Sequence, residues 1–329
     1  MVSAVIFVAT SCVSPLTGFA FWETNLAYEG ESIYNYLQVK NLSDRTILST
    51  NVLFGVQSVT MKDKGLTGMY YDTALAAPAL ADNANSALIL GMGTGTYARQ
   101  LKQYYPKMNI TGVEIDQKIT DLAGEYFDEP ADIPVTTYDG RAWLAASHDK
   151  YDVIMVDAYQ DITIPFQMSS TEFFTMVREH LNPGGVMVVN MNMISDGQGS
   201  INEALSDTIA SVFGNGNTLT ADVPNTTNRE LFAKKPGSGS EENSMALNLR
   251  ETTYERTGSE DLEWYMEEVA SRFRKVNEPD SASTILTDDK APVEVLGMHA
   301  IDQIIADEAG PYRQILKDEG FGGLLRAVQ

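Results

Sequence analysis

Cysteine and histidine are nearly missing from this chain. The 329 residues hold one cysteine, Cys12, and three scattered histidines, His148, His180 and His299. A lone thiol excludes an internal disulfide and any cysteine-rich metal site. The histidines share no ligand spacing, so no metal is expected. Basic residues are scarce too: 23 Lys and Arg face 45 Asp and Glu, a formal net charge of −22. Such a surface repels phosphate backbones, so no nucleic acid is expected as a partner. It attracts a small cationic amine, although solubility alone is the plainer use of the same charge. Charge is absent altogether from Val2 to Trp22. That run is long enough to cross a bilayer and lacks the basic start and cleavage site of a secretory signal. Residues 1–24 therefore read as an apolar helix serving as a membrane anchor, with a buried helix or strand pair as the competing reading.

What is present is a sheet with a ligand-binding edge. Leu88-Ile89-Leu90 runs into Gly91-Met92-Gly93-Thr94-Gly95-Thr96, and a helix-like stretch follows from Tyr97. Glycine lets the backbone turn sharply and approach a ligand without a Cβ in the way, and a helix start offers free N–H groups. The next strand, Asn109 to Val113, ends on Glu114-Ile115-Asp116. A carboxylate there, roughly 20 residues after the loop, suits ribose hydroxyls. Plain turn punctuation is the alternative for the glycines. The loop holds no lysine, which excludes a P-loop. Thr96 stands where a dinucleotide fingerprint has its third glycine, so the spacing fits an S-adenosylmethionine-type fold better. Gly91, Gly93, Gly95 and Glu114 become candidate cofactor-binding residues.

Further along, strands and helices alternate as a parallel sheet requires. Strands are expected near Val135–Tyr138, at Tyr151–Asp157, at Val186–Asn190, and near Thr218–Ala221 and Arg229–Ala233. Helices are expected over Gln117–Phe127, from Arg141, over Thr171–His180 and Glu203–Phe213, and over Leu262–Val276. Asn182-Pro183-Gly184-Gly185 is a stop signal, and Lys234–Asn243 has the composition of a surface loop. Residues 25–65 read as a small antiparallel β unit with a turn at Asn41–Asp44, and 66–329 as the main domain. Asp139, with Gly140, follows a strand and either meets an adenine amino group or caps a helix. Asp157 closes another strand at the ligand-binding edge, where it serves as a base toward an amine or as a cap. Tyr159, Gln160 and Asp161 follow it and are candidates for an acceptor pocket.

The order Gly-x-Gly-x-Gly, Glu-Ile-Asp, Asp-Gly-Arg-Ala-Trp-Leu and Tyr-Asp-Val-Ile-Met-Val-Asp resembles the spermidine synthase family. The likeness extends to Ser32–Val39, to Tyr70-Tyr71-Asp72, and to Leu286-Thr287-Asp288-Asp289-Lys290-Ala291-Pro292-Val293-Glu294. The last motif is most similar to a bacterial branch whose synthase-like domain follows membrane spans. The resemblance implies an α/β, Rossmann-like class I methyltransferase fold with a mostly parallel seven-stranded sheet. It implies aminopropyl transfer from decarboxylated S-adenosylmethionine to an amine, with Asp157 catalytic. Asn35 stands at a cofactor-binding position, and Tyr71 and Asp72 at substrate-binding ones. Two departures matter. Thr94 replaces the loop acid of the family, and Gln160 its second carboxylate. A methyltransferase using S-adenosylmethionine itself, or a non-catalytic nucleoside- or polyamine-binding domain, are therefore the alternatives. The family further implies a homodimer, and the cofactor's origin places the catalytic domain of a cell-membrane protein on the cytoplasmic side.

Overall fold

The computed structural model describes residues 20, 23–51, 56–63, 65–128, 130–158, 164–192, 199–237, 248–279, 283–298 and 317. Two sheets organise them. A four-stranded antiparallel sheet runs in sequence order, β1 (Leu26–Glu31), β2 (Tyr36–Asn41), β3 (Arg45–Thr50) and β4 (Ser58–Met61). The β2–β3 turn closes where Leu42 N–H donates to the Arg45 carbonyl. Leu37, Val39 and Leu48 pack from this sheet onto Ile119, Leu122 and Phe127, on and just after the helix that follows the second strand of the main sheet.

The main sheet begins with β5 (Ser86–Leu90), β6 (Asn109–Glu114), β7 (Val135–Thr137), β8 (Tyr151–Val156) and β9 (Leu181–Met191). It ends with β10 (Thr218–Asp222), β11 (Arg229–Lys234) and β12 (Arg274–Lys275). Their spatial order is β12-β10-β11-β9-β8-β5-β6-β7. The five strands from β9 to β7 are parallel and the other three are antiparallel. β5 and β8 are almost wholly buried, which explains their apolar runs Ala87–Leu90 and Val153–Val156: a parallel sheet is covered on both faces.

One face carries α1 (Tyr70–Ala74), α2 (Ala76–Leu80), α3 (Thr96–Tyr104), α8 (Leu249–Thr257) and α9 (Glu260–Ser271). The other carries α5 (Gly140–Ala146), α6 (Thr171–His180) and α7 (Ile201–Phe213), anchored by Phe173, Phe174 and Ile209. α4 (Gln117–Tyr126) faces the small sheet.

Three expectations need amending. The seven-stranded sheet has an eighth member, because the helix expected to reach Val276 stops at Ser271. Phe273 then packs edge-on against Phe232, ring centroids 5.6 Å apart, and Arg274–Lys275 pair with β10. Tyr70–Leu80, an alanine-rich stretch whose sequence is helix-prone apart from Pro78, forms two short helices, since Pro78 has no N–H to offer the Ala74 carbonyl. That carbonyl instead accepts the Tyr97 hydroxyl at 3.0 Å. The apolar run Val2–Trp22 lies, apart from Ala20, outside the described residues. Among those described, no helix is long and apolar enough to cross a membrane. The longest, α7, has 13 residues where a span needs about 20. The cell-membrane location is therefore withdrawn; the expected anchor itself lies outside the described residues.

Candidate active site

The strand order reverses beside β5, so the carboxyl ends of β5 and β8 form the crevice where open α/β sheets bind ligands. β5 delivers the glycine loop there. The Gly91 and Met92 N–H groups both donate to the Val113 carbonyl, at 2.9 and 3.0 Å, folding the loop over β6. Gly91 sits at φ +89°, and a Cβ on it would lie 2.3 Å from the Asp157 carbonyl oxygen. Only glycine satisfies both demands.

A cavity of about 340 Å³ opens at this edge. Gly91, Gly93, Glu114, Asp139, Gly140 and Asp157 line it from the main sheet, and Asn35 and Tyr71 also reach it. These eight sequence candidates are thus gathered in one place. Glu114 is buried. Its carboxylate accepts the Gly93 N–H at 2.8 Å and the Asp116 N–H at 3.0 Å. Burial pushes its carboxyl above the ordinary range, against the pull of those two donors. Asp139 does what a cap should: its Oδ1 accepts the Ala142 N–H at 2.7 Å, starting α5, while the residue still faces the cavity.

Asp157 is the most perturbed carboxyl on the cavity wall. Burial raises it from 3.8 to about 7, partly opposed by hydrogen bonds from Tyr70 and Asn190 and reinforced by the charge of Glu114. The Tyr70 hydroxyl donates to Oδ2 at 2.6 Å and the Asn190 amide to Oδ1 at 2.9 Å. Tyr70 lies against Tyr71, ring centroids 4.0 Å apart. Burial and the Asp157 charge raise both phenols, so Tyr70 remains a donor. The Tyr71 hydroxyl is committed to the Gln57 carbonyl at 2.7 Å, leaving its ring as the face it offers.

Three candidates behave differently. Asp72 is buried away from the cavity, and its carboxylate accepts the Thr67 and Gly68 N–H groups, the Thr67 hydroxyl and the Gln100 amide. It holds the turn into α1, and its substrate-binding role is withdrawn. Gly95, at φ +79°, is the left-handed residue that starts α3 and does not line the cavity. Asn35 reaches the cavity while tied down, donating to Asp116 at 3.0 Å and accepting from Asn51 at 2.9 Å. Asp116 also takes the Ser32 hydroxyl at 2.6 Å, so it joins the small sheet to α4. Tyr159, Gln160 and Asp161 lie outside the described residues.

Sequence reasoning missed several contributors. Ile115 and Tyr138 stand exposed at the rim, beside Glu114 and Asp139, and suit the faces of a flat base. Gln57 and Ser58 enter at the start of β4, and Met168 from the segment before α6. That segment is fixed by Arg141, which grips Asp288 bidentately at 2.7 and 2.6 Å and donates to the Gln167 carbonyl at 2.7 Å. Asn190 was visible as an amide closing an apolar strand.

Comparison with known proteins agrees with this arrangement. Residues 69–235 match the spermine/spermidine synthase domain. A probable polyamine aminopropyl transferase of Bifidobacterium longum is 98% identical over the whole chain, which covers 75% of that relative. A polyamine aminopropyltransferase of Vibrio vulnificus is 28% identical, over 60% of this chain and 69% of that one. The chain covers only a quarter of the length of a Corynebacterium efficiens polyamine aminopropyltransferase, at 37% identity. Spermidine synthase from Thermotoga maritima superposes with a TM-score of 0.58 at 19% identity, over 78% of this chain and 85% of that one. A spermidine synthase in complex with the transition-state analogue AdoDATO gives 0.57 at 19% identity, over the same shares. The superpositions speak for the fold; the sequence match over half the chain and the near-identical relative establish that this chain belongs to the spermine/spermidine synthase family.

Proposed function

We propose that this chain transfers the aminopropyl group of decarboxylated S-adenosylmethionine to a small cationic amine. The observation that carries the reading is the charge of the cavity wall. Glu114, Asp139 and Asp157 line it, and no Lys, Arg or His does among the described residues. A wall of carboxylates without a cation disfavours the carboxylate of S-adenosylmethionine and suits the decarboxylated form with a second amine. In this reading Glu114 takes the ribose hydroxyls. Asp139 takes the adenine amino group, with Ile115 and Tyr138 against the ring. Gly91 and Gly93 allow close approach of the backbone.

Asp157 then faces the acceptor. The amine nitrogen attacks the carbon bonded to the sulfonium; a C–N bond forms and the C–S bond breaks, its electron pair passing to sulfur. The proton released from nitrogen goes to the Asp157 carboxylate. A carboxyl near pKa 7 is matched to that task at neutral pH. Tyr70 and Asn190 hold both oxygens, so the base is aimed before the substrates arrive. The carbon is already activated, and positioning supplies most of the rate.

The family habit also supports a homodimer, which light scattering would test, and a boundary near residue 65 between the small β unit and the catalytic domain. Calorimetric titration with the two forms of S-adenosylmethionine, followed by mass analysis of products from a panel of amines, tests the main reading. Tighter binding of the decarboxylated form and an aminopropylated product are expected. Methyl transfer with no aminopropyl product would overturn it.

A further inference from the structure

Asn190 faces two ways. Its Nδ2 donates to Asp157 at 2.9 Å, and its Oδ1 accepts the Asn228 Nδ2 at 2.8 Å. The Asn228 amide also reaches Asn192 Oδ1, at 3.4 Å. Strand register brings these amides together. Asn190 pairs with Glu230 and Met191 with Arg229, so Asn228, just before β11, falls beside Asn192 and diagonally from Asn190. Side chains alternate along a strand, which puts all three amides on one face. A line of amides thus runs from the β10–β11 turn to the candidate base.

The turn fixes the outer end of that line. The Val223 N–H donates to the Asn228 carbonyl at 3.0 Å. The Asn228 N–H donates to Thr226 Oγ1 at 3.1 Å, and the Thr226 hydroxyl donates to the Val223 carbonyl at 3.1 Å. The direction of the line is what matters chemically. An amide has a donor end and an acceptor end, whereas an ionised carboxylate only accepts. Asn190 serves ionised Asp157 only with Nδ2 turned to it. Reversed, its Oδ1 would face the carboxyl and favour the protonated form. With Asn228 in place, that reversal would also set two amide donors against each other. The Asn228 donor polarises the Asn190 amide as well, strengthening the bond it gives. The other groups around Asp157 are acids and phenols. Glu114 of β6 disfavours its charge, and Tyr70 of α1 donates to it. Burial and the Asp157 charge raise Tyr71 of α1 and Glu230 of β11, so both stay neutral.

We propose that Asn228 is a positioning residue of the candidate active site: it holds the Asn190 amide with its nitrogen toward Asp157, and so keeps that carboxylate in the proton-accepting form. This rests on the aminopropyl-transfer reading above, in which Asp157 takes the amine proton. Asn228 does not line the cavity and acts through Asn190. It is half-buried while Asn190 is buried, so a turn at the edge of the fold sets the polarity of a bond at its centre.

The test removes the donor with Asn228→Leu, which keeps the shape of the side chain, and with Asn228→Ala, which shortens it. The pH dependence of kcat/KM is measured with decarboxylated S-adenosylmethionine and the best amine of the panel. Both variants should move the inflection upward by about 0.5–1 pH unit, the size of one lost neutral hydrogen bond. Cofactor affinity by calorimetry should stay near wild type. In an Asn190→Ala background, Asn228→Leu should add no further shift, because its effect passes through that amide. An inflection unmoved or lowered in either folded variant, or a full additional shift in the double variant, would overturn the proposal and leave Asn228 a turn residue. If wild type yields no product with any amine, the aminopropyl-transfer reading has failed on its own. Carbon-13 NMR of the aspartate carboxyls then decides without substrate, the Asp157 signal being identified by its loss in Asp157→Asn. A raised Asp157 midpoint in Asn228→Leu upholds the amide line, and an unchanged midpoint overturns it.

Discussion

The two ends of β8 hold two aspartates from one seven-residue motif, Asp152 and Asp157, in opposite circumstances. Asp152, at the amino end, accepts the Asn85 and Ser86 N–H groups at 2.8 and 3.2 Å and the Asn182 amide at 2.8 Å. Nearby, Asp82 pairs with Lys234 at 2.8 Å. These acids staple loops to the lower edge of the sheet. Asp157, at the carboxyl end, has two neutral side-chain donors, no cation among the described residues, and a second carboxylate, Glu114, across the cavity. The sheet uses the same residue type to fasten one edge and to keep the other hungry for protons and cations. The difference lies in the supply of donors, since both residues are largely enclosed.

The sharpest way to break this contrast is to neutralise each aspartate in turn. Asp157→Asn should lower turnover by about 10²–10⁴-fold, the range of a general base, with cofactor affinity by calorimetry unchanged. Asp152→Ala should leave turnover per folded molecule intact and cost about 1–3 kcal/mol in denaturant unfolding, because its donors are stranded. If Asp152→Ala abolished turnover at full stability, the division between fastening and working edges would collapse. Gly91→Ala probes the seam between them. Positive φ and the clash with the Asp157 carbonyl should cost about 1–3 kcal/mol and reduce turnover as well.

The pH dependence sharpens the comparison further. Folding raises the Asp157 pKa from 3.8 to about 7, so between those values the folded chain binds more protons than the unfolded one. Its contribution to stability therefore falls as pH rises from about 4 to 7 and levels off above. Asp157→Asn should lack that slope in melting experiments. Turnover runs the other way: kcat/KM should rise through about pH 7 as the base ionises. The smallest effect belongs to Tyr70→Phe. Removing a donor to the carboxylate should move this inflection upward, while cofactor binding stays put.

Much of the site was legible because its signals are local. A strand running into Gly91, a carboxylate closing the next strand, and Asp157 closing another each announce an edge within a few residues. Contacts distant in sequence were not legible. Tyr70 and Asp157 are 87 residues apart, and nothing in either segment specifies their meeting. Asp72 was misassigned from its neighbour. Successive helical residues point about 100° apart, so Asp72 turns to Thr67 and Gln100 while Tyr71 faces the cavity. The amino-terminal run left its role open, because apolar length alone carries no partner information. The carboxyl-terminal motif was recognised as a pattern, yet its work, Asp288 gripping Arg141 behind the cavity wall, is tertiary.

The repair at Pro78 has a consequence of its own. By removing one N–H it left the end of α1 to be tied by Tyr97, a residue of the helix that the glycine loop launches. The helix that the glycine loop launches and the helix that carries Tyr70, a donor to Asp157, are thereby strutted together. The glycine loop and the carboxylate that Tyr70 holds therefore rest on one strut, set by a single missing hydrogen.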